Sequence, residues 1–115
     1  MIALALFAAA VSAHGSHPPK HTPTPTLSSV EAAEVVKACR SSRTSVAANF
    51  CNGYIIGVFD GLSLTRQVCA VGFGASTMSA VAASRKYLAD HPNEWNQPAA
   101  ILIEKALRST FPCRH

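Results

Sequence analysis

The sequence predicts an all-α fold, a small bundle of four main helices stapled by disulfides. Three observations predict it. Apolar residues recur at helical spacing in four separate stretches, and none of these alternates by two as a half-buried strand would. The chain has four cysteines, an even count. The segment able to fold, roughly residues 27–115, is too short for its core alone to give ample stability.

Residues 1–13, MIALALFAAAVSA, are apolar and uncharged and end in Val11-Ser12-Ala13. This is the hydrophobic core and cleavage site of a secretory signal peptide. The run is too short to span a bilayer, which takes about 20 apolar residues. Residues 14–26, HGSHPPKHTPTPT, carry Pro18, Pro19, Pro23 and Pro25 and no large apolar side chain. Such a segment cannot bury a core and reads as a disordered tether. The folded domain is therefore placed at 27–115.

The first helix is predicted over SVEAAEVVKACR, with Ser28 and Glu31 at the spacing of a capping box. The second begins near Thr44 or Ser45 and runs to about Leu64. Its broad apolar face includes Ala47, Phe50, Cys51, Tyr54, Ile55, Val58, Phe59 and Leu62, with Asn52 and Asp60 marking the polar side. As the most hydrophobic segment of the mature chain, it is expected to be the central helix. The third starts near Ser76, turns Met78, Val81, Tyr87 and Leu88 inward, and stops at His91-Pro92, because the residue before proline disfavours helix. In the fourth, Pro98 falls in the first turn. Ala99, Leu102, Ile103, Ala106 and Leu107 then form a stripe at i, i+3, i+4, i+7 and i+8. Glu104 and Arg108 are spaced to pair on the outer side.

Gly53, Gly57 and Gly61 lie four apart on the second helix. Each glycine costs about 1 kcal/mol against alanine inside a helix, so close contact must offset the loss. Packing within the chain, against the alanine-rich third helix, is the first reading. A homodimer seam is the second.

An even cysteine count in a small exported chain reads as two disulfides. In an up-down bundle the end of the first helix lies beside the start of the second. The ends of the second and fourth share the other pole. That predicts Cys39–Cys51 and Cys69–Cys113. A zinc site is not expected, since no C-x2-C pair exists and the gaps are 11, 17 and 43 residues. The formal charge of +4 is scattered, with no dense basic run, which argues against nucleic-acid binding.

The histidines do not compose a site. His14, His17 and His21 lie in the tether, His91 belongs to a helix stop and His115 is terminal. No cofactor or metal is expected. A Cys–His nucleophile would need an unpaired thiolate, so catalysis is not expected either. The loop around His91, Asn93, Glu94, Trp95 and Asn96 offers one aromatic among polar groups, as interface anchors do; equally, Trp95 could cover the end of the core. Phe73, between Gly72 and Gly74, is a second candidate contact. Asp60 is read as an exposed polar edge.

Three segments carry a resemblance: FCNGYIIGVFD at 50–60, YLADHP at 87–92 and ALRSTFPC at 106–113. In this order they resemble the Rap/Tai immunity proteins. There, a C-x-G-Y-x-x-G-x-x-D helix is followed by a later cysteine, a Y-L-x-x-H-P stop and a terminal F-P-C. The chain departs where relatives often have C-x-P, since Cys69 is followed by Ala70-Val71-Gly72. The resemblance implies a periplasmic, non-enzymatic protein that neutralises a peptidoglycan amidase delivered by type VI secretion. It also implies a homodimer that obstructs the amidase cleft with a helix or protruding loop. No membrane contact is expected of the mature form, because the second helix holds Asn52 and Asp60 and stops at Arg66. The rival expectations are a small periplasmic chaperone or stress protein, or a domain of this type without a toxin partner.

Overall fold

A computed structural model describes Gly15 and residues 26–42, 44–69 and 76–114. The predicted leader and nearly all of the predicted tether lie outside the described residues. Among those described there are four α-helices and no strand: α1 (Ala32–Cys39), α2 (Val46–Leu64), α3 (Thr77–Asp90) and α4 (Ala99–Thr110). A single 3-10 turn, Pro92–Glu94, joins α3 to α4. Every helix touches the other three.

Local chemistry sets two of the four starts. The Ser45 side chain accepts the Ala48 N–H at 3.1 Å and begins α2. Ser76 and Ser79 cap each other at the start of α3. α1 begins differently. The expected box of Ser28 and Glu31 does not form, and Glu31 is itself the N-cap without a side-chain bond. The α1 N-terminal N–H groups bond instead to the loop before α4: Ala32 to the Gln97 carbonyl at 2.9 Å and Ala33 to the Trp95 carbonyl at 3.1 Å. Ala99 N–H returns the contact to the Val30 carbonyl at 2.9 Å. A distant backbone thus satisfies orphan donors that a side chain was expected to satisfy. Pro98 sits one position earlier than expected, as the N-cap of α4.

All five residues of the α4 stripe are buried. Leu102, Ile103 and Leu107 are fully enclosed with Ile55, Leu88 and Val35, each contributing about 1.5–3 kcal/mol of apolar burial. α2 still lies against all three other helices, as expected of a central helix, but its burial is confined to one side. α2 buries only Ala48, Cys51, Ile55 and Leu62 along its 19 residues. Met78, expected inside, is 73 % exposed. Asn52, expected on the polar edge, is half-buried, and its Oδ1 has no partner among the described residues. Asp60 is exposed, as expected.

The glycine stripe is the largest correction. Gly53, Gly57 and Gly61 are exposed, and a Cβ built on any of them would meet nothing within 4 Å. The first reading, close packing against α3 within the chain, does not hold among the described residues. α3 approaches α2 on another side, where Ala48 and Asn52 line a cavity of about 290 Å³ with Val81, Ala82 and Arg85.

Both disulfides form in the predicted pairing, Cys39–Cys51 with Cα atoms 5.1 Å apart and Cys69–Cys113 with Cα atoms 4.8 Å apart. The first ties α1 to α2, and Arg85 of α3 donates to the Cys39 carbonyl beside it. The second ties the segment after α2 to the segment after α4. There Cys69 N–H bonds the Phe111 carbonyl at 3.0 Å, and Phe59 meets the Phe111 ring edge-on.

Candidate functional site

The predicted contact residues between 91 and 96 come together at the turn that ends α3. Tyr87 and His91 are four apart on one helical side, so their rings stack with centroids 3.8 Å apart. His91 Nδ1 lies 2.7 Å from the Tyr87 carbonyl oxygen, which caps the last turn. Pro92 removes one backbone donor where no helical partner would exist, and the 3-10 turn follows. Trp95 is half-buried and packs against the core. Its Nε1 donates to the Leu88 carbonyl at 2.7 Å, and the Arg40 guanidinium lies 5.1 Å from the ring centroid. The ring thus covers the end of the core, one of the two readings open from sequence. Asn93 and Asn96 are exposed on either side of it.

Charge fixes this turn from outside. Glu94 Oε1 lies 2.5 Å from the Lys105 ammonium, and its Oε2 accepts from the Tyr87 hydroxyl at 3.3 Å. Lys105 holds the Glu94 carboxyl below the usual carboxylate range, and Glu94 raises Lys105 in turn. Burial, aided by the Glu94 charge, raises the Tyr87 phenol. Lys86, 2.5 Å away, lowers Asp90.

A carboxyl whose folded pKa is depressed stabilises the fold fully above its unfolded value, about 4.3 for Glu. The contribution disappears as pH falls through the folded value. Thermal melts are therefore expected to place Glu94→Gln about 2 °C below the parent at pH 7, as befits a surface pair with an exposed ammonium and a half-buried carboxylate. The two melts should converge as the pH approaches 3. A gap that stays constant across that range would show that the carboxylate charge is not what Glu94 contributes.

The second surface is the outer side of α2. Val46 and Leu64 are each 85 % exposed, Phe50 is 44 % exposed, and the three glycines lie between them. Asp60 is the only charged residue in the helix. A helix this apolar on all sides is ordinarily enclosed. The sequence carried that signal in the sparsity of charge between Val46 and Leu64, but not which side would stay open.

The third surface lies at the opposite end of α2 from Cys51. Arg66, Gln67, Arg108, Pro112 and Cys113 line an open cleft of about 320 Å³. Sequence reasoning placed no site here. Phe73, the remaining predicted contact, lies outside the described residues.

Among the described residues, no group of three or more His, Cys, Asp or Glu side chains is placed to hold a metal ion. None of the described helices is long and apolar enough to cross a membrane. All four cysteines are oxidised, so no thiolate is offered in this state.

No curated protein and no solved structure matches the chain. The family model described as Rap1a immunity proteins matches residues 31–113, most of the chain and all of its cystine-bounded part. Four helices, two cystines and a continuous match from the start of α1 to Cys113 lead to one assignment: the chain belongs to the Rap1a immunity protein family.

Proposed function

We propose that this protein is a periplasmic immunity protein that binds a peptidoglycan amidase delivered by type VI secretion and blocks its cleft sterically. The observation that carries the reading is the family match over 31–113. Residues 1–13 act as the export leader and 14–26 as a tether, so the cystines form after export. Inhibition needs no chemistry from the chain. A rigid module seals a groove, and an ordered turn such as 91–96 binds with little loss of conformational entropy. The turn at 91–96, with Asn93 and Asn96 outward and Trp95 anchored, is one contact. The segment containing Phe73 is the other.

The protein acts as a homodimer, with the outer side of α2 as its seam. Phe50, Gly53, Gly57, Gly61 and Leu64 are spaced 3, 4, 4 and 3 residues apart, a palindrome about Gly57. In an antiparallel pair with a two-fold axis there, each Phe50 faces the partner subunit's Leu64, and each Gly53 faces the partner subunit's Gly61. A self-complementary patch of this kind is what two-fold symmetry requires. Asp60 then comes opposite the partner subunit's Tyr54, an acceptor facing a phenol. One helix side is a small interface, so the dimer is expected in the micromolar range.

Light scattering after size exclusion tests both parts with any peptidoglycan amidase effector found encoded beside this gene. The expected masses are two chains alone and a larger complex with amidase, with loss of amidase activity in that fraction. No complex at micromolar concentration would remove the immunity reading, and a single-chain mass at high micromolar concentration would remove the seam. The apolar α2 side also favours a second reading, a chaperone for unfolded clients. That reading predicts suppression of client aggregation by a single-chain species.

A further inference from the structure

A left-handed residue just past a helix is usually glycine, because a Cβ there crowds the following carbonyl. α2 ends in that motif. Arg66 N–H bonds the Ser63 carbonyl at 3.1 Å, and Gln67 N–H bonds the Leu62 carbonyl at 2.8 Å. The residue in the left-handed position is Arg66, with φ of 57°. Among the described residues it is the only non-glycine with positive φ. The chain accepts backbone strain at this position and gains an arginine.

That arginine opens onto the third surface. Arg108 forms the facing wall and is already aimed: its Nε lies 3.0 Å from Glu104 Oε1, and its Nη2 donates to Gln67 Oε1. Gln67 is held in turn by its Nε2, which donates to Thr65 Oγ1 at 3.1 Å. Pro112 and Cys113 close the far side. The Cys113 Sγ lies 3.3 Å from the Arg66 carbonyl oxygen. Oxidised sulfur has no proton to donate, so this is packing rather than a hydrogen bond. The Cys69–Cys113 bond holds both walls in place. Arg114 follows Cys113 in the chain and is exposed, although it does not line the cleft. Of the two arginines that line the cleft, Arg108 pairs with Glu104 and Arg66 pairs with no described acid.

From this geometry we infer that the cleft of Arg66, Gln67 and Arg108 is a carboxylate-binding site that takes an acidic segment of the protein partner. Guanidinium forks match carboxylates in a bidentate way, and a preset frame lowers the ordering cost. Strain kept at one residue is a common mark of a site selected for binding rather than stability. The inference rests on the reading that this protein binds a partner, but its test requires no amidase.

The test titrates the isotope-labelled, oxidised full chain with acetylated tetraglutamate, with tetraglutamine and inorganic phosphate as controls. Nuclear magnetic resonance follows the backbone amides and arginine Nε–H signals. Tetraglutamate is expected to move Arg66, Gln67 and Arg108 at millimolar concentration or below, with tetraglutamine silent. In Arg66→Gly the affinity should fall at least fivefold while the thermal midpoint rises by about 4 °C, since the strain is gone. Arg66→Lys, which keeps the strain and the charge but not the fork, should bind weakly and melt like the parent. Shifts spread evenly over the surface, equal affinity in Arg66→Gly, or phosphate binding as tightly as tetraglutamate at the same residues would each overturn the site. A lower melting point for Arg66→Gly would overturn the strain argument. If tetraglutamate binds here but no amidase does, the site stands and the amidase reading falls.

Discussion

Replacing Cys69 and Cys113 together by serine is expected to cost about 4 kcal/mol of folding stability. The bond closes a loop with a sequence separation of 44, and the loop-entropy model gives about that value. The corresponding figure for Cys39–Cys51, with a separation of 12, is about 3 kcal/mol. Domains of this size hold only about 5–15 kcal/mol in total, so either loss is a large share. The longer bond matters more for a second reason. Past α4 the described chain, Phe111 to Arg114, is irregular, and besides the cystine it is held by the Cys69–Phe111 backbone bond and by burial of the Phe111 ring. Urea unfolding followed by circular dichroism measures the difference. A loss under about 1 kcal/mol would mean that these contacts already hold the two ends together. Full reduction is expected to unfold the domain at 37 °C, since it removes both terms.

Trp95→Ala is expected to cost about 3 kcal/mol, at the lower end for removing a large aromatic because the ring is only half-buried. Three interactions leave at once: packing against the core, the bond from Nε1 to the Leu88 carbonyl, and the guanidinium of Arg40 over the ring. Trp95→Phe keeps most of the packing and loses the donor, for about 1 kcal/mol. The ordering of the two variants in thermal and urea unfolding identifies the role. If Trp95→Ala stays within 0.5 kcal/mol of the parent, the side chain is a surface anchor and covers nothing. Because the Trp95 carbonyl also receives the Ala33 N–H, loss of the ring is expected to loosen the start of α1, visible as faster amide exchange there.

The Cys69–Cys113 bond and Trp95 mark where reading the sequence succeeds and where it stops. Ser45 and Ser76 cap their own helices, His91-Pro92 ends α3, and the stripe from Ala99 to Leu107 faces inward. Each is settled by residues within one or two turns of one another, so sequence suffices. The cystine pairing follows too, because a chain of short helices leaves few ways to bring four sulfurs into pairs. The site was less legible. The cluster around Trp95 was visible as a composition, yet its ring was as consistent with an interface as with a core lid. The cleft at Arg66 left no sequence mark, since nothing in Thr-Arg-Gln signals a left-handed backbone.

What tertiary structure alone decided is which side of each element stays open. α2 is apolar nearly all round, so its own pattern does not choose a buried side; α1, α3 and α4 choose it, and they leave Gly53, Gly57 and Gly61 outside. Ser84 is fully buried, with no partner for its hydroxyl among the described residues, because its neighbours enclose it and not because its sequence context is apolar. The start of α1 is set by carbonyls more than 60 residues away, at Trp95 and Gln97. Hydrogen bonds within a turn and helical periodicity are properties of neighbouring residues and can be read along the chain. Burial and long-range hydrogen bonding are properties of pairs of surfaces, and they exist only once those surfaces meet.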